Sequence, residues 1–331
     1  MEEYRVNNQM EEVLDKELEA LMESMPDYGR LEKAIERSIK RKIKRIVYRT
    51  VAAVMAALLI VFLGVSPAMN AIYTNPAKLN EEPDKTLQKV MRTYWETLEP
   101  YIEVIGMDVE EKGFARYEIS MEVANHREAL YVGTPNTKVK MVCGKYKDGE
   151  TNQLLYHTLG RFRMEESAEG MIEDFKELPK SAKIYLSVRE KTPRMVEELQ
   201  KEAIELEWIQ VYQPNVEFQG GLNMYLQGAF DDKDRKRRNM NAEELKEVYV
   251  ANLEQLQAYP QLWEEWKLKN DNVVFVYDIE GILEETLEDA KQIEVLQSQN
   301  YCISGQRDEI VEYLEKTELV SIKIDDISLI G

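Results

Sequence analysis

The feature that most constrains the fold of this chain is a run of fifteen apolar residues at positions 51–65. No charged residue occurs in a longer segment, residues 50–77. A helix over residues 50–73 is about 36 Å long, enough to cross the roughly 30 Å hydrocarbon core of a bilayer. The segment therefore predicts a transmembrane helix. A cleaved signal sequence and a buried helix of a soluble protein are the alternatives, although 49 residues before the run are many for a signal sequence.

The charges around this segment predict its orientation. Residues 37–49 contain seven Lys or Arg and no acidic residue, whereas residues 1–36 contain four basic and eleven acidic residues. These two charges, +7 and −7, cancel, so the net charge of −19 belongs to residues 50–331. By the positive-inside rule we expect residues 1–49 in the cytoplasm and residues 74–331 outside. The cytoplasmic basic side chains are then Lys40, Arg41, Lys42, Lys44, Arg45 and Arg49.

Apolar residues recur at helical spacing in the N-terminal segment and predict a short all-α region. One interpretation is a helix that docks in the groove of a cytoplasmic partner, and the alternative is a weakly ordered tail or a homodimer seam. Residues 26–29, Pro-Asp-Tyr-Gly, separate two such patterns, the second of which runs into the apolar segment. The candidate partner-binding residues are Met10, Val13, Leu14, Leu18, Leu21, Met22, Met25, Leu31 and Ile35.

The remaining residues predict an α+β domain of helix-backed sheets of the split βαβ type. We expect a helix over residues 87–98, and then a hairpin whose turn is residues 110–113 and whose second arm alternates apolar and polar residues over 117–123. Thr192 and Pro193 predict the N-cap and first position of a helix that carries Met195, Val196, Leu199 and Ala203. Asn241 and Glu244 have the spacing of a capping box. A strand, a turn at residues 304–305, a helix and a final strand complete the chain.

Residues that commonly bind metals or take part in catalysis are scarce in this sequence. His126 and His157 have no metal-ligand spacing, and neither Cys-x-x-Cys nor a nucleophile or phosphate-binding motif occurs. We therefore expect no metal, no cofactor and no enzymatic activity. The acidity of the large domain argues against nucleic acid as a direct partner. Cys143 and Cys302 are interpreted as two buried free thiols, although an oxidising compartment would allow them to pair.

Several stretches of the large domain resemble the bacterial sigma factor regulator family. They are Pro-Tyr-Ile-Glu-Val at 100–104, Gly-Phe-Ala-Arg-Tyr-Glu-Ile-Ser at 113–120, Leu-Pro-Lys-Ser-Ala-Lys-Ile-Tyr-Leu-Ser-Val at 178–188, Leu-Glu-Trp-Ile-Gln-Val at 206–211 and Tyr-Cys-Ile-Ser-Gly at 301–305. The resemblance implies a single-pass membrane anti-sigma factor, or a subunit of such a complex. The alternative is a membrane-anchored scaffold or binding protein of the cell envelope with no role in transcription.

The resemblance also implies a division of the chain into four parts. Residues 1–49 would bind an extracytoplasmic-function sigma factor in the cytoplasm, and residues 50–73 would cross the membrane. Residues 74–155 would form a membrane-proximal region similar to the N-terminal region of the family, followed by an anti-sigma factor C-terminal-like domain over 156–331. A second membrane protein, or a second copy of the chain, is a further expected partner, and the outer domain would respond to the state of the envelope.

Overall fold

The computed structural model describes residues 28–81, 83–98, 100–125, 136–149, 168–216, 218–224, 234–263 and 279–329. The chain divides into two compact units, Met1–Pro67 and Ala68–Gly331. The first unit contains one long helix, and the second contains two antiparallel sheets with helices, which makes it α+β.

The long helix is α1, Tyr28–Ile60, which continues through a π-helical turn, Val61–Val65, into α2, Ser66–Ile72. The second amphipathic pattern and the apolar run are thus one continuous helix, as the sequence predicts. The π turn has a local cause in Pro67, which has no N–H and whose ring clashes with the carbonyl four residues earlier in an α-helix. The N–H of Ser66 instead donates to the carbonyl of Val61, five residues back.

The second unit begins with two helices and the N-terminal sheet. The helices are α3, Pro76–Leu79, and α4, Thr86–Leu98. The strands are β1, Ile102–Gly113, β2, Arg116–Asn125, β3, Asn136–Val142, and β4, Lys145–Gly149, in the order β1-β2-β3-β4. The apolar stripe of α4 packs against β1, and its Leu87, Val90 and Trp95 are fully buried.

The predicted hairpin exists, but its turn lies further along the chain than expected. Strand β1 continues through residues 110–113, and its pairing with β2 has two irregularities, one between Val104 and Gly106 and one between Glu111 and Gly113. The chain reverses at Phe114 and Ala115, which both have positive φ angles. This conformation is unusual for residues with a side chain, and the Ala115 N–H donates to Asn70 Oδ1 at 2.8 Å.

The C-terminal sheet has the order β7-β6-β8-β5-β9, and every pair is antiparallel. Its strands are β5, Ala182–Met195, β6, Glu205–Gln210, β7, Gly221–Asn223, β8, Gln297–Gln306, and β9, Leu319–Leu329. Strand β8 lies between β5 and β6, and β5 lies between β8 and β9. The connections β5 to β6 and β8 to β9 each contain a helix, so each skips one strand, in the manner of a split βαβ unit.

The helices of this part are α5, Ala168–Glu177, α6, Val196–Leu199, α7, Ala242–Ala258, α8, Ile279–Gln292, and α9, Arg307–Lys316. Short 3-10 turns occupy Asp234–Asn239 and Pro260–Leu262. Helix α7 begins with the predicted capping box, in which Asn241 Oδ1 accepts from the Glu244 N–H and Glu244 accepts from the Asn241 N–H, both at 2.9 Å.

Two local predictions in this part are wrong. Strand β5 continues through Thr192 and Pro193 to Met195, and the following helix has only four residues. The pairing of β5 with β8 is interrupted between Arg189 and Arg194, and a proline is tolerated at such an irregularity because no ladder hydrogen bond is lost. Strand β8 likewise continues through residues 304–305 to Gln306, where a capping box with Glu309 starts α9.

Candidate functional site

The long helix is the first candidate site. The helical segment Lys33–Ile72 has 40 residues, and none of its most apolar 18-residue window is buried. It is the one helix of the described residues that is long and apolar enough to span a membrane. Exposed apolar surface on this scale is unfavourable in water and marks contact with lipid or with another protein.

The basic segment, residues 37–49, precedes this window on the same helix. Its six orientation residues, Lys40, Arg41, Lys42, Lys44, Arg45 and Arg49, are all exposed. Lys40 forms an ion pair with Glu36 at 2.5 Å, and the Lys44 ammonium lies 5.8 Å from the centre of the Tyr48 ring. Both contacts are local to the helix, and the basic side chains stay exposed alongside exposed apolar ones such as Ile39 and Ile43.

Most of the predicted partner-binding residues lie outside the described part of the chain. These are Met10, Val13, Leu14, Leu18, Leu21, Met22 and Met25. Leu31 lies in the first turn of α1, and Ile35 is 51% exposed on it. Their role in partner binding therefore stays a prediction.

The second candidate site is one face of the C-terminal sheet. Cross-strand neighbours in an antiparallel sheet share a face, so the pairing of β5 with β8 and β9 separates two sets of side chains. Ile184, Leu186 and Val188 lie on the apolar face, together with Ile303 and Tyr301 of β8 and Ile322 of β9. Helix α9 covers this face at Gly305, where an added Cβ would lie 3.4 Å from Ile310.

The other face, here called the polar face, carries three rows of side chains across β9, β5, β8 and β6. The first row is polar throughout, and the second and third combine polar groups with Trp208 and Tyr185. In strand order the rows are Ser321, Arg189, Asn300 and Gln210; then Lys323, Ser187, Cys302 and Trp208; then Asp326, Tyr185, Ser304 and Glu205.

Tyr101 packs onto the second and third rows. This residue joins α4 to β1, has a positive φ of 66°, and is 1% exposed. Its hydroxyl donates to Asp325 Oδ2 at 3.2 Å, and its ring meets that of Tyr185 edge to face with centroids 6.0 Å apart. Ser187 Oγ donates to the same Asp325 oxygen at 2.5 Å. The Tyr101 contact thus ties the N-terminal sheet to the C-terminal one within the second unit.

Trp208 forms a second tie on the same face. Its indole N–H donates to the carbonyl of Glu96 in α4 at 2.9 Å. Its ring lies over Gly221 of β7, where an added Cβ would come within 1.9 Å of the ring. Glycine at position 221 is therefore required for this packing. The Glu96 carboxylate forms a buried ion pair with Arg237, which also donates to the Asn223 carbonyl at 3.2 Å.

Charged groups meet at the third row. Lys183 Nζ lies 2.7 Å from Glu205 Oε2, and Ser304 Oγ donates to Glu207 Oε1 at 2.5 Å. Partial burial alone would raise the pKa of Glu205. The hydrogen bond from Lys183 and the positive charges of Lys183 and Arg238 outweigh burial, so this pKa lies below its ordinary value.

A buried acidic network lies where β5 meets β8. The hydroxyl of Tyr301 donates to Glu190 and contacts the hydroxyl of Tyr313, while Arg194 forms an ion pair with Glu190 at 3.2 Å. Burial raises the pKa of Tyr301 well above its ordinary value, and the nearby Tyr313 and Glu190 add to that effect. Both tyrosines are therefore neutral donors at neutral pH. Since the groups satisfy one another, the network suits a structural role.

The described residues contain no group of three or more His, Cys, Asp or Glu that could hold a metal ion. Cys143 and Cys302, which are both described, form no disulfide with each other. His126 and His157 lie outside the described part. Cys302 is buried, as expected, on the polar face, with its sulfur 3.4 Å from Ser187 Oγ. Cys143 is only partly buried, so the prediction of a buried thiol is wrong at this position.

In comparisons with known proteins, no family model, no curated protein sequence and no solved structure matches the chain.

The sequence predicted the strands that carry the polar face but not the face itself. Alternation within β5 places Tyr185, Ser187 and Arg189 together, and a sequence reader could group them. Their neighbours come from β8 and β9, more than 100 residues later, and only the strand order brings them into one surface. The irregularity at Asp325 also interrupts the alternation of faces along β9, so alternation alone assigns this residue to the wrong face of the sheet.

Proposed function

We propose that this chain is a single-pass membrane protein that holds an extracytoplasmic-function sigma factor at the membrane. The observation that carries the proposal is the long helix, whose apolar window is unburied and is preceded by the exposed basic segment. A bilayer removes the apolar window from water, and the basic segment keeps the N-terminus in the cytoplasm.

In the proposed topology, the two ends of the chain have different functions. The amphipathic N-terminal residues lie where a transcription factor is present, and the acidic α+β unit lies outside the membrane. The apolar side chains of the first pattern, such as Leu14 and Leu18, dock on the sigma factor as a helix in a groove. The outer unit responds to the envelope. The resemblance of residues 100–120, 178–188, 206–211 and 301–305 to sigma factor regulators supports this assignment of roles.

Reporter fusions test the topology separately from the partner. A fluorescent protein that folds only in the cytoplasm is fused to either end, and alkaline phosphatase, which is active only outside, replaces it in a parallel set. We expect fluorescence from the N-terminal fusion and phosphatase activity from the C-terminal fusion. The opposite pattern would overturn the orientation, and a soluble, processed product would support a cleaved signal sequence instead.

Co-purification tests the partner. The full-length chain is extracted from membranes in mild detergent, and bound sigma factors are identified against a panel of tagged candidates from the same genome. We expect one sigma factor to bind and Leu14→Asp with Leu18→Asp to abolish its binding. The matched control, Glu12→Gln with Glu19→Gln, changes polar positions of the same segment and should retain binding.

A deletion strain distinguishes the proposal from the envelope-scaffold alternative. Loss of the chain should raise transcription of one sigma regulon under unstressed conditions. If no sigma regulon changes and no sigma factor binds, but an envelope complex is lost from the membrane, the scaffold function replaces the one proposed.

A further inference from the structure

The outer edges of the sheets in the second unit differ in how their backbone groups are satisfied. At β1, Gln88 and Asn80 side chains donate to the carbonyls of Ile105 and Met107 at 3.2 and 3.1 Å. At β7, the Asn223 N–H donates to the Glu96 carboxylate at 3.2 Å. Both edges are therefore closed to a further strand.

Strand β9 forms the opposite edge of the C-terminal sheet. Among the described residues, no side chain bonds to the backbone of residues 319–324 in this way. A long edge strand with unpaired N–H and C=O groups is a template for another strand. The side chains along this edge indicate which strand would fit.

The apolar face of β9 is exposed at its outer positions. Ile324 is the cross-strand neighbour of Leu186 on this face, and Val320 is the residue that the irregularity between Arg189 and Glu190 leaves without a cross-strand partner. Val320 is 46% and Ile324 is 39% exposed, although residues of the same face on β5 are fully buried. An added strand with apolar residues at matching positions would cover both side chains.

The polar face presents two cationic side chains without described partners, Lys323 on β9 and Arg189 on the neighbouring β5. Neither side chain makes a hydrogen bond or ion pair in the described structure, and the buried Nε of Arg189 has no acceptor. Every other arginine of the second unit with a described side chain has a partner: Arg92, Arg116, Arg194, Arg237, Arg238 and Arg307. Two acids are nearby on β9: Asp325 already accepts from Ser187 and Tyr101, and Asp326 accepts from the Ile327 N–H. Lys323 and Arg189 are therefore suited to an incoming carboxylate.

We propose that β9 pairs with an extended segment of a partner protein in which apolar and acidic residues alternate. The apolar residues cover Val320 and Ile324, and an acidic residue opposite Lys323 pairs with it, close to Arg189. Main-chain hydrogen bonds contribute affinity for any extended segment, and the alternation of apolar and acidic residues determines which segment binds. The inference stands on the C-terminal sheet alone and needs neither the membrane topology nor the sigma factor.

A peptide-binding measurement on the full-length chain in lipid nanodiscs tests the proposal. The probe is a labelled peptide, Val-Glu-Val-Thr-Val-Glu-Val, and its counterpart carries Lys in place of Glu. We expect the acidic peptide to bind more tightly. Lys323→Glu should weaken it about five- to tenfold and improve the lysine peptide, since opposite charges across strands attract and like charges repel. Ile324→Lys should also weaken binding of the acidic peptide, since it puts a charged side chain where an apolar residue of the peptide would pack.

Two control variants and hydrogen exchange complete the test. Lys201→Glu and Val295→Lys make the same changes at exposed positions outside β9 and should leave binding unchanged. Tryptophan fluorescence checks that each variant is folded. Peptide binding should slow amide exchange within residues 319–324.

Equal binding of both peptides, no binding, or protection elsewhere would overturn the proposal. If the chain alone self-associates with protection at β9, and Lys323→Glu abolishes this, the occupant is a second copy and the foreign partner is wrong.

Discussion

The long helix and the C-terminal sheet use the same apolar residue types in opposite ways. Leu58 of the helix is 47% exposed, whereas Leu186 of β5 is fully buried. The sheet buries its apolar face because helices α5 and α9 pack against its strands. The helix has no such cover among the described residues of its own unit. Residue type alone therefore does not predict burial. The elements that pack around a residue decide whether it is buried.

The two regions also differ in how they treat charge. The charges of the long helix lie in its N-terminal half, where Lys40 pairs with Glu36 at the surface, and a segment of 28 residues without any charge, 50–77, follows. The second unit instead buries charges and pairs them, as in Glu96 with Arg237 and Glu103 with Arg92. This contrast predicts that a change of charge or volume in the second unit alters the stability of that unit, whereas the same change on the long helix does not.

The largest expected effect comes from removing one partner of a buried ion pair. Arg237→Met leaves the Glu96 carboxylate buried without its cation, which should destabilise the second unit by about 3–5 kcal/mol. Urea unfolding followed by tryptophan fluorescence measures this, because all four tryptophans lie in residues 68–331. Lys40→Ala, which removes the exposed ion pair with Glu36, should change the same transition by less than about 0.5 kcal/mol. A small effect of Arg237→Met would show that Glu96 takes another partner or a proton.

A matched pair of leucines tests the contrast between the apolar residues directly. Leu186→Ala should destabilise the second unit by about 2–5 kcal/mol, since it removes buried methylene groups and leaves a cavity. Leu58→Ala makes the same change on the exposed helix and should leave the unfolding transition of the second unit within about 0.5 kcal/mol. Equal losses in the two variants would contradict the separation of the two regions.

A charge placed within the long helix should reduce membrane insertion and leave the stability of the second unit unchanged. Leu58→Arg is expected to oppose membrane insertion by about 2.5–3.5 kcal/mol, because Leu58 lies within the apolar run. Extraction of membranes with alkaline carbonate measures the inserted fraction, and Leu58→Ile is the control. The second unit should unfold as before in detergent. Equal retention of the arginine variant and the wild type in the extracted membranes would argue that position 58 does not lie in the hydrocarbon core of a bilayer.

The sequence predicts the long helix well and the polar face poorly, for physical reasons. Helix contacts are local, so spacing and charge over residues 28–72 suffice. The capping signal at Asn241 and Glu244 is local too, and the structure contains it. The predicted end of strand β5 was wrong because Thr192 and Pro193 are also residues that commonly start a helix. The irregular pairing with β8, which comes from residues more than 100 positions away, decides against it. The polar face requires the strand order, which no local pattern contains.

The tie between Tyr101 and Asp325 should contribute less than the buried ion pair. Tyr101→Phe keeps the ring against Tyr185 and removes the hydroxyl, so we expect a loss of about 0.5–1.5 kcal/mol from the second unit. Tyr73→Phe, at a tyrosine that is 41% exposed, is the control and should have no measurable effect. A loss of several kcal/mol would mean that Asp325 becomes an unsatisfied buried charge without the Tyr101 hydroxyl.

The smallest expected effect is a change in acid stability at Glu205. Its pKa is below the ordinary value, because the hydrogen bond and charge of Lys183 outweigh partial burial. A depressed carboxyl pKa stabilises the folded state above the unfolded-state pKa, about 4.3 for Glu, and this contribution disappears as the pH falls through the folded-state pKa. Glu205→Gln should therefore flatten the fall in stability below about pH 5, and Lys183→Met should flatten it similarly. Unfolding midpoints from pH 7 to pH 3 measure the effect. Glu198→Gln, at an exposed carboxylate without an ion pair, should retain the wild-type profile. An unchanged profile in Glu205→Gln would show that solvent screens the pair at this partly exposed site, as it does for the surface ion pairs of the helix.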